Sequence, residues 1–170
     1  SVKQYLKTDI TNFSDNVIKG IRNALSLAQK DNKEILFSYT FRIDTDDLLP
    51  FVTHPSDRQY LRFYWQQPSK GLSLAGLNSI WSRDFSDSKL YNKIKLEVNR
   101  LFKKSVSISD SILAGPKLIG GHAFIVDGNS DETWEEFPRS RFFLPECLAT
   151  LNDNGAWLTL SKFISPSTSV

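Results

Sequence analysis

The chain has 170 residues, with 21 Lys and Arg against 19 Asp and Glu for a net charge of +2, and 40% of its residues are hydrophobic. That length suits one compact domain, and twelve Phe, five Tyr and four Trp supply the apolar mass for a core that disordered chains lack. Near-balanced charge excludes the concentrated basic footprint of a nucleic-acid binder, and Cys147, the lone cysteine, excludes an intrachain disulfide or a cysteine-held metal cluster.

In chain order, the first periodic segment covers residues 13–30. Val17, Ile18, Ile21, Leu25 and Ala28 recur three and four apart there and predict an amphipathic helix. Ser14 reads as its N-cap, Asp31-Asn32 as its stop, and Gly20 as a weak point in its interior. Residues 34–43 alternate with period two, placing Ile35, Phe37, Tyr39, Phe41 and Ile43 on one strongly apolar strand face. Asp44-Thr45-Asp46-Asp47 caps a short helical turn over 46–52, which closes at His54-Pro55. Strands follow over 60–67, stopped by Pro68, and over 72–81 after the Lys70-Gly71 turn.

A second amphipathic helix is predicted over 89–104, with Leu90, Ile94, Leu96, Val98, Leu101 and Phe102 as its apolar members. Lys103-Lys104 suits the negative end of its dipole. Three more strands follow, over 117–127, 141–151 and 156–164. Asn154-Gly155 predicts a primed hairpin turn, with positive φ at both central positions. Residues 1–164 read as one domain, and the Ser/Thr/Pro-rich stretch 165–170 as the start of a linker. Helices are too few to cross over between all the strands. The expected fold is therefore α+β, a mostly antiparallel sheet with two main flanking helices.

No run approaches the ~18 consecutive apolar residues of a membrane helix, and the first ten residues hold no secretory h-region. With a single cysteine added to that, the expected location is the cytoplasm.

The obvious catalytic readings fail one by one. His54 lies in a polar loop, and His122 follows Gly120-Gly121 on an apolar strand, where a hydrogen-bonded sheet histidine is the simpler reading. No serine sits in a G-x-S-x-G elbow, and Cys147 has apolar strand neighbours that make it an inert buried thiol. The stretch Asp127-Gly128-Asn129-Ser130-Asp131 opens like a calcium loop. It then puts Glu132 where the sharp-turn glycine belongs and Pro138 where the bidentate glutamate belongs. Glu135 and Glu136 are adjacent, so on a strand they point to opposite faces and cannot form one acid–base pair. Gly115-Pro116-Lys117 and Gly120-Gly121 match neither phosphate-binding glycine pattern. Residues 58–65 mix basic and aromatic side chains, as sheets that stack bases do, but Lys70-Gly71-Leu72-Ser73-Leu74 misses the RNA-recognition signature. The alternating aromatics read instead as core-facing, and neither nucleic acid nor membrane is an expected partner.

Three blocks in order carry a resemblance. Arg62-Phe63-Tyr64-Trp65-Gln66-Gln67-Pro68 with Leu74-Ala75-Gly76-Leu77 is similar to a paired F-Y-W-[E]-x-P and A-G-[IL]-G; Leu118-Ile119-Gly120-Gly121-His122-Ala123-Phe124 to G-G-x-[AR]-F; Trp134-Glu135-Glu136-Phe137-Pro138 with Arg141-Phe142-Phe143-Leu144-Pro145 to W-x-x-F-P-x-[AS]-x-F-x-[LV]-P. Together they resemble the N-terminal region of chorismate-utilising enzymes of the isochorismate synthase type. Gln66 departs from the usual acidic residue, Asn78 from the usual glycine, and His122 from the usual apolar side chain.

That resemblance implies half of a layered α+β assembly, in which sheets from two halves pack face to face beneath flanking helices. The implied activity is chorismate to isochorismate, feeding quinone or siderophore synthesis. In this family Mg2+-bound chorismate sits in a C-terminal chorismate-binding region. A lysine there activates water, a glutamate protonates the departing hydroxyl, and further glutamates hold the metal. Lys162 does not match the family's lysine position, so the resemblance assigns no catalytic, substrate-binding or metal residue to this chain. Taken alone, the chain is expected to be inactive. Its expected partners are the missing C-terminal region, chorismate only in the complete enzyme, and further copies of itself through uncovered apolar faces of strands 34–43, 60–67 and 141–151. Anthranilate or aminodeoxychorismate synthase is the alternative within the superfamily, although the L-L-E-S-like motif those enzymes tend to carry is absent from the sequence. A binding or regulatory module that reuses the fold is the alternative outside catalysis.

Overall fold

Alternation in the first predicted strand produces the centre of the molecule. The computed structural model describes residues 10–53, 61–85, 88–122 and 140–169. In it β1 (Ile35–Ile43) is buried on both faces, with only Tyr39 half-buried and Arg42 exposed. β9 (Gly155–Ile164) pairs antiparallel along its whole length, from Ile35↔Ile164 to Ile43↔Ala156, and β5 (Val106–Ser109) pairs parallel on its other side. With β2 (Arg62–Gln67), β3 (Leu72–Leu77) and β8 (Cys147–Asn152) they form a six-stranded sheet in the order β2-β3-β8-β9-β1-β5. A second, antiparallel sheet, β4-β7-β6, is built from β4 (Trp81–Phe85), β7 (Ser140–Leu144) and β6 (Ile119–His122). α1 (Ile10–Asp31) and α3 (Ser88–Lys103) are the two main helices, and α2 (Leu49–Thr53) is a short third. This is the expected α+β, mostly antiparallel architecture.

α1 lays Ala24 and Ala28 against Ile35, Phe37 and Ile164, flanked by Val17, Ile21, Leu25, Val106 and Ile108. Ile18, expected on that face, is instead exposed. The helix begins at Ile10, so Ser14 lies inside it rather than capping it. Its far end behaves as read. Asn32 takes a left-handed φ of 49°, and Lys33 N–H donates to the Ala28 carbonyl at 3.1 Å, which together close a Schellman cap. Gly20 is buried against the sheet: a Cβ there would meet the Ile108 side chain and lie 2.7 Å from the Phe37 ring. α2 starts at Leu49 rather than at 46, because the Asp47 carboxylate accepts the Leu49 N–H at 2.9 Å and fixes the turn before it. Beneath α2, Phe41, Ile43, Leu48, Ala75, Ala149, Ala156 and Leu158 form a second core cluster, and Tyr39 touches both clusters.

Predicted strand 141–151 proves to be two strands, β7 and β8, while predicted strand 72–81 covers β3 and only the first residue of β4. β3 and β8 pair as far as Leu77↔Cys147, and pairing resumes in the other sheet at Trp81↔Leu144. Between these pairs three residues, Asn78, Ser79 and Ile80, stand against two, Pro145 and Glu146, and both chains turn the same corner together. Hydrophobic alternation persists through this corner, which is why residues 72–81 and 141–151 each read as one strand. Asn78 makes the bend with φ 57°, the left-handed conformation that explains a glycine-like requirement there, and its Nδ2 donates to Glu146 Oε2 at 2.8 Å. β5, whose Val-Ser-Ile-Ser alternation is only four residues long, was too short to be predicted. Of predicted strand 117–127, residues 119–122 form β6 and 123–127 lie outside the described residues.

The β8–β9 hairpin closes at Asn152↔Gly155, so its central residues are Asp153 and Asn154. Neither takes positive φ, and the turn is not of the primed type. The Asn152 side chain accepts the Asn154 N–H at 2.8 Å and holds the turn, while the positive φ, 135°, falls on Gly155. Beyond β9, Thr168 N–H donates to the Ser165 carbonyl at 3.1 Å and Gln29 Nε2 to the Pro166 carbonyl at 3.4 Å, so the stretch read as a linker begins with a turn against α1.

Two substitutions test these positions by thermal unfolding. Gly to Ala in a helix ordinarily gains about 1 kcal/mol, but at Gly20 the methyl enters a filled space, where overpacking costs about 1–3 kcal/mol. Gly20→Ala is therefore expected to lower Tm; a rise would mean that the helix–sheet gap is wider than described. Gly155→Val should cost about 1 kcal/mol or more for its left-handed backbone, a loss of about 2–4 °C for a chain of this size. Gly121→Val, which meets open space without positive φ, is expected to leave Tm within a degree or so.

Candidate functional site

The reverse face of the six-stranded sheet, away from α1 and α2, holds the densest group of polar side chains. Alternation along β1 sends Ser38 and Thr40 to this face, and register brings Ser161 and Thr159 of β9 opposite them. Thr40 and Thr159 share a hydrogen bond of 3.0 Å, and Ser38 Oγ donates to Ser107 Oγ of β5 at 2.9 Å. Ser38, Thr40, Thr150, Thr159 and Ser161 are all buried, and Thr150 Oγ1 has no hydrogen-bond partner among the described residues. Arg42 ends the row. Its guanidinium lies 5.7 Å from the centre of the Trp157 ring, and Nη2 donates to the Asn154 carbonyl at 3.3 Å. Hydroxyls without an adjacent base neither titrate near neutral pH nor attack, so this strip can bind or line but cannot carry acid–base chemistry.

The other candidate residues are scattered. Cys147 opens β8 and packs against the α2 cluster; burial, followed by the Glu146 charge, pushes its pKa up to about 12. The inert thiol read from its neighbours agrees with that. Gln66 is exposed on β2 opposite Ser73, and Lys162 is exposed on β9 opposite Phe37. Lys117 Nζ donates to the Leu113 carbonyl at 3.3 Å, and burial pulls its pKa down. His122 ends β6, while its side chain, His54, residues 127–131 and the Glu135-Glu136 pair lie outside the described residues. The ion pairs join elements to one another: Arg141 to Asp84 across β7 and β4, Arg83 to Glu97 between β4 and α3, and Lys104 to Asp31 near the ends of α3 and α1. In the first and last of these, the hydrogen bond from the cation holds the aspartate below the usual carboxylate range.

Among the described residues no three His, Cys, Asp or Glu side chains converge, so these residues do not fit a Mg2+ site. No helix among them is long and apolar enough to cross a membrane. The expected uncovered apolar faces also need correction. β1 is buried on both faces, and β7 and β8 expose no large apolar side chain; of the three expected strands only 60–67 does, through Leu61 at 46%, Tyr64 at 38% and Trp65 at 44%. Packing of α1 and α2 on one face of β1, with small hydroxyls on the other, leaves that strand nothing apolar to display.

Residues 21–170 match the family described as chorismate binding enzyme. The chain is also 26% identical over 165 residues to the isochorismate synthase MenF of Bacillus subtilis (strain 168). That alignment covers 92% of this chain and 35% of the relative, so the chain spans about a third of that protein's length.

Because the Cys147 thiol is held neutral in the folded state and becomes ordinary on unfolding, folding stability should fall as pH rises through the unfolded thiol pKa of about 8.5 and toward about 12. At pH 9 a thiol reagent is expected to modify folded Cys147 roughly 100-fold or more slowly than in denaturant. Comparable rates would show the thiol to be open to solvent.

Proposed function

Because the chain belongs to the chorismate binding enzyme family, we propose that it is the N-terminal structural portion of an isochorismate synthase, one that by itself converts no chorismate. The observation that carries this reading is the alignment, which extends over nearly the whole chain yet over about a third of an isochorismate synthase. The chemistry of the described residues supports it. Water activation needs a lysine kept neutral beside the ring, and hydroxyl departure needs a positioned acid. What the chain offers is a buried hydroxyl strip, an inert thiol and ion pairs already used between elements. Its own contribution is a rigid sheet, fixed on one face by two helices, on which the rest of the enzyme is assembled.

In this reading chorismate and Mg2+ belong to the C-terminal chorismate-binding region. The product would enter quinone or siderophore synthesis, and the location is the cytoplasm.

Purified chain, supplied with chorismate and Mg2+, is expected to form no isochorismate. Adding a separately expressed C-terminal portion from a gene that encodes both should bind the chain and restore turnover. Turnover by highly purified chain alone would sink the reading, as would a C-terminal portion that is fully active without it.

A further inference from the structure

The tip of the β8–β9 hairpin carries an inference independent of the enzymatic reading. Asn154 is exposed and precedes Gly155, which sets a side-chain amide next to a peptide nitrogen that no Cβ shields. Arg42 stands over the same peptide. Its Nη2 donates to the Asn154 main-chain carbonyl at 3.3 Å, and a Cβ on Gly155 would lie 2.8 Å from that nitrogen. The Trp157 ring, 5.7 Å from the guanidinium, attracts the cation and keeps it in place. Among the described residues no carboxylate pairs with this guanidinium. Asp110 Oδ2 accepts the Arg42 main-chain N–H, and the Asp153 carboxylate lies against Gly71.

A peptide nitrogen attacks carbon only after losing its proton. The negative charge of that anion is shared with the carbonyl oxygen of the same peptide, and here that oxygen is the one Arg42 contacts. A nearby cation favours the charged form, and a donor already aimed at the oxygen stabilises it without reorganisation. Asn152↔Gly155 is the last pair of its ladder, so local opening of a single pair frees the Gly155 N–H. We propose that Asn154-Gly155 is a site of spontaneous deamidation, promoted by Arg42 and ending chiefly in isoaspartate.

In the first step the Gly155 nitrogen gives its proton to solvent and bonds to Asn154 Cγ. The Cγ–Nδ2 bond breaks, and Nδ2 takes a proton from solvent and leaves as ammonia. The five-membered imide so formed holds the Gly155 nitrogen between Cγ and the Asn154 main-chain carbonyl carbon. Water then adds to one of these two carbons, and the bond from that carbon to nitrogen breaks. Arg42 polarises the main-chain carbonyl and directs addition there. The main chain is left running through Cγ, and the former carbonyl becomes a free carboxylate beside the guanidinium. Water is consumed, ammonia is released, and no oxidant or cofactor takes part.

The test holds the folded chain in mildly alkaline buffer over time, with a reference unfolded in urea. Peptide mapping by mass spectrometry reads amide-to-acid conversion at position 154, and enzymatic methylation of isoaspartate reads the isomer formed. Conversion is expected at Asn154, with isoaspartate in excess. Arg42→Gln is expected to slow it by about tenfold or more in the folded chain, because the cation beside the amide anion is gone. In urea the same substitution should leave the rate unchanged. Arg42→Lys keeps the charge and should recover much of the folded rate. Far-UV circular dichroism and Tm check each variant, and should Arg42→Gln misfold, Arg42→Thr, a better strand former, decides. Asn154 left intact in the folded chain, aspartate as the main product, or a folded neutral variant that reacts as fast as the parent would overturn the inference.

Discussion

Burial of β1 on both faces is the constraint on which the remaining structure depends. A strand with Ile35, Phe37, Phe41 and Ile43 on one side and Leu36, Ser38 and Thr40 on the other cannot sit at an edge, so it must find neighbours on both sides. It finds β9 more than a hundred residues away and β5 after the α3 connection. Because β9 follows β1 by more than a hundred residues, the sheet closes only once the chain has been made through residue 164. α1 can dock only after that, since its inner face touches side chains from β1, β5 and β9 together.

The corner at Asn78 and Glu146 sets the second level of organisation. One antiparallel ladder is bent there, so that the same two stretches of chain serve a six-stranded sheet on one side and a three-stranded sheet on the other. A left-handed backbone at Asn78 and a side-chain hydrogen bond to Glu146 hold the bend. Asparagine is the residue other than glycine that takes this conformation most readily, which explains how the chain departs from the usual glycine without losing the turn. Glu146 also lends its carbonyl to Ser161 N–H at 2.8 Å, so the corner is tied to β9 and through it to β1.

Function in this chain follows from what the sheet supports. Among the described residues, the buried polar side chains of the sheet are hydroxyls, which bind without titrating, and three ion pairs join elements at the surface. Exposed pairs of that kind contribute little to stability, and their value is in orienting α3 against β4 and β7 against its neighbour. The scaffold role proposed above rests on family membership and on the share of a longer isochorismate synthase that the chain covers.

The sequence by itself determined the α+β class, both main helices, the cap at Asn32 and the central strand, because local periodicity and turn chemistry act within a few residues. It also identified Cys147 as inert, since apolar strand neighbours predict desolvation. Its motif blocks pointed to the family that the chain matches. Only the tertiary structure decided where residues 72–81 and 141–151 break, because alternation continues through a bend that shared ladder pairing creates. It alone showed that Gly20 is a contact point rather than a flaw, and that the hairpin's positive φ belongs to Gly155. The hydroxyl strip was equally hidden: Ser38, Thr40, Ser107, Thr150, Thr159 and Ser161 lie far apart in sequence, and pairing between distant strands is what places them side by side.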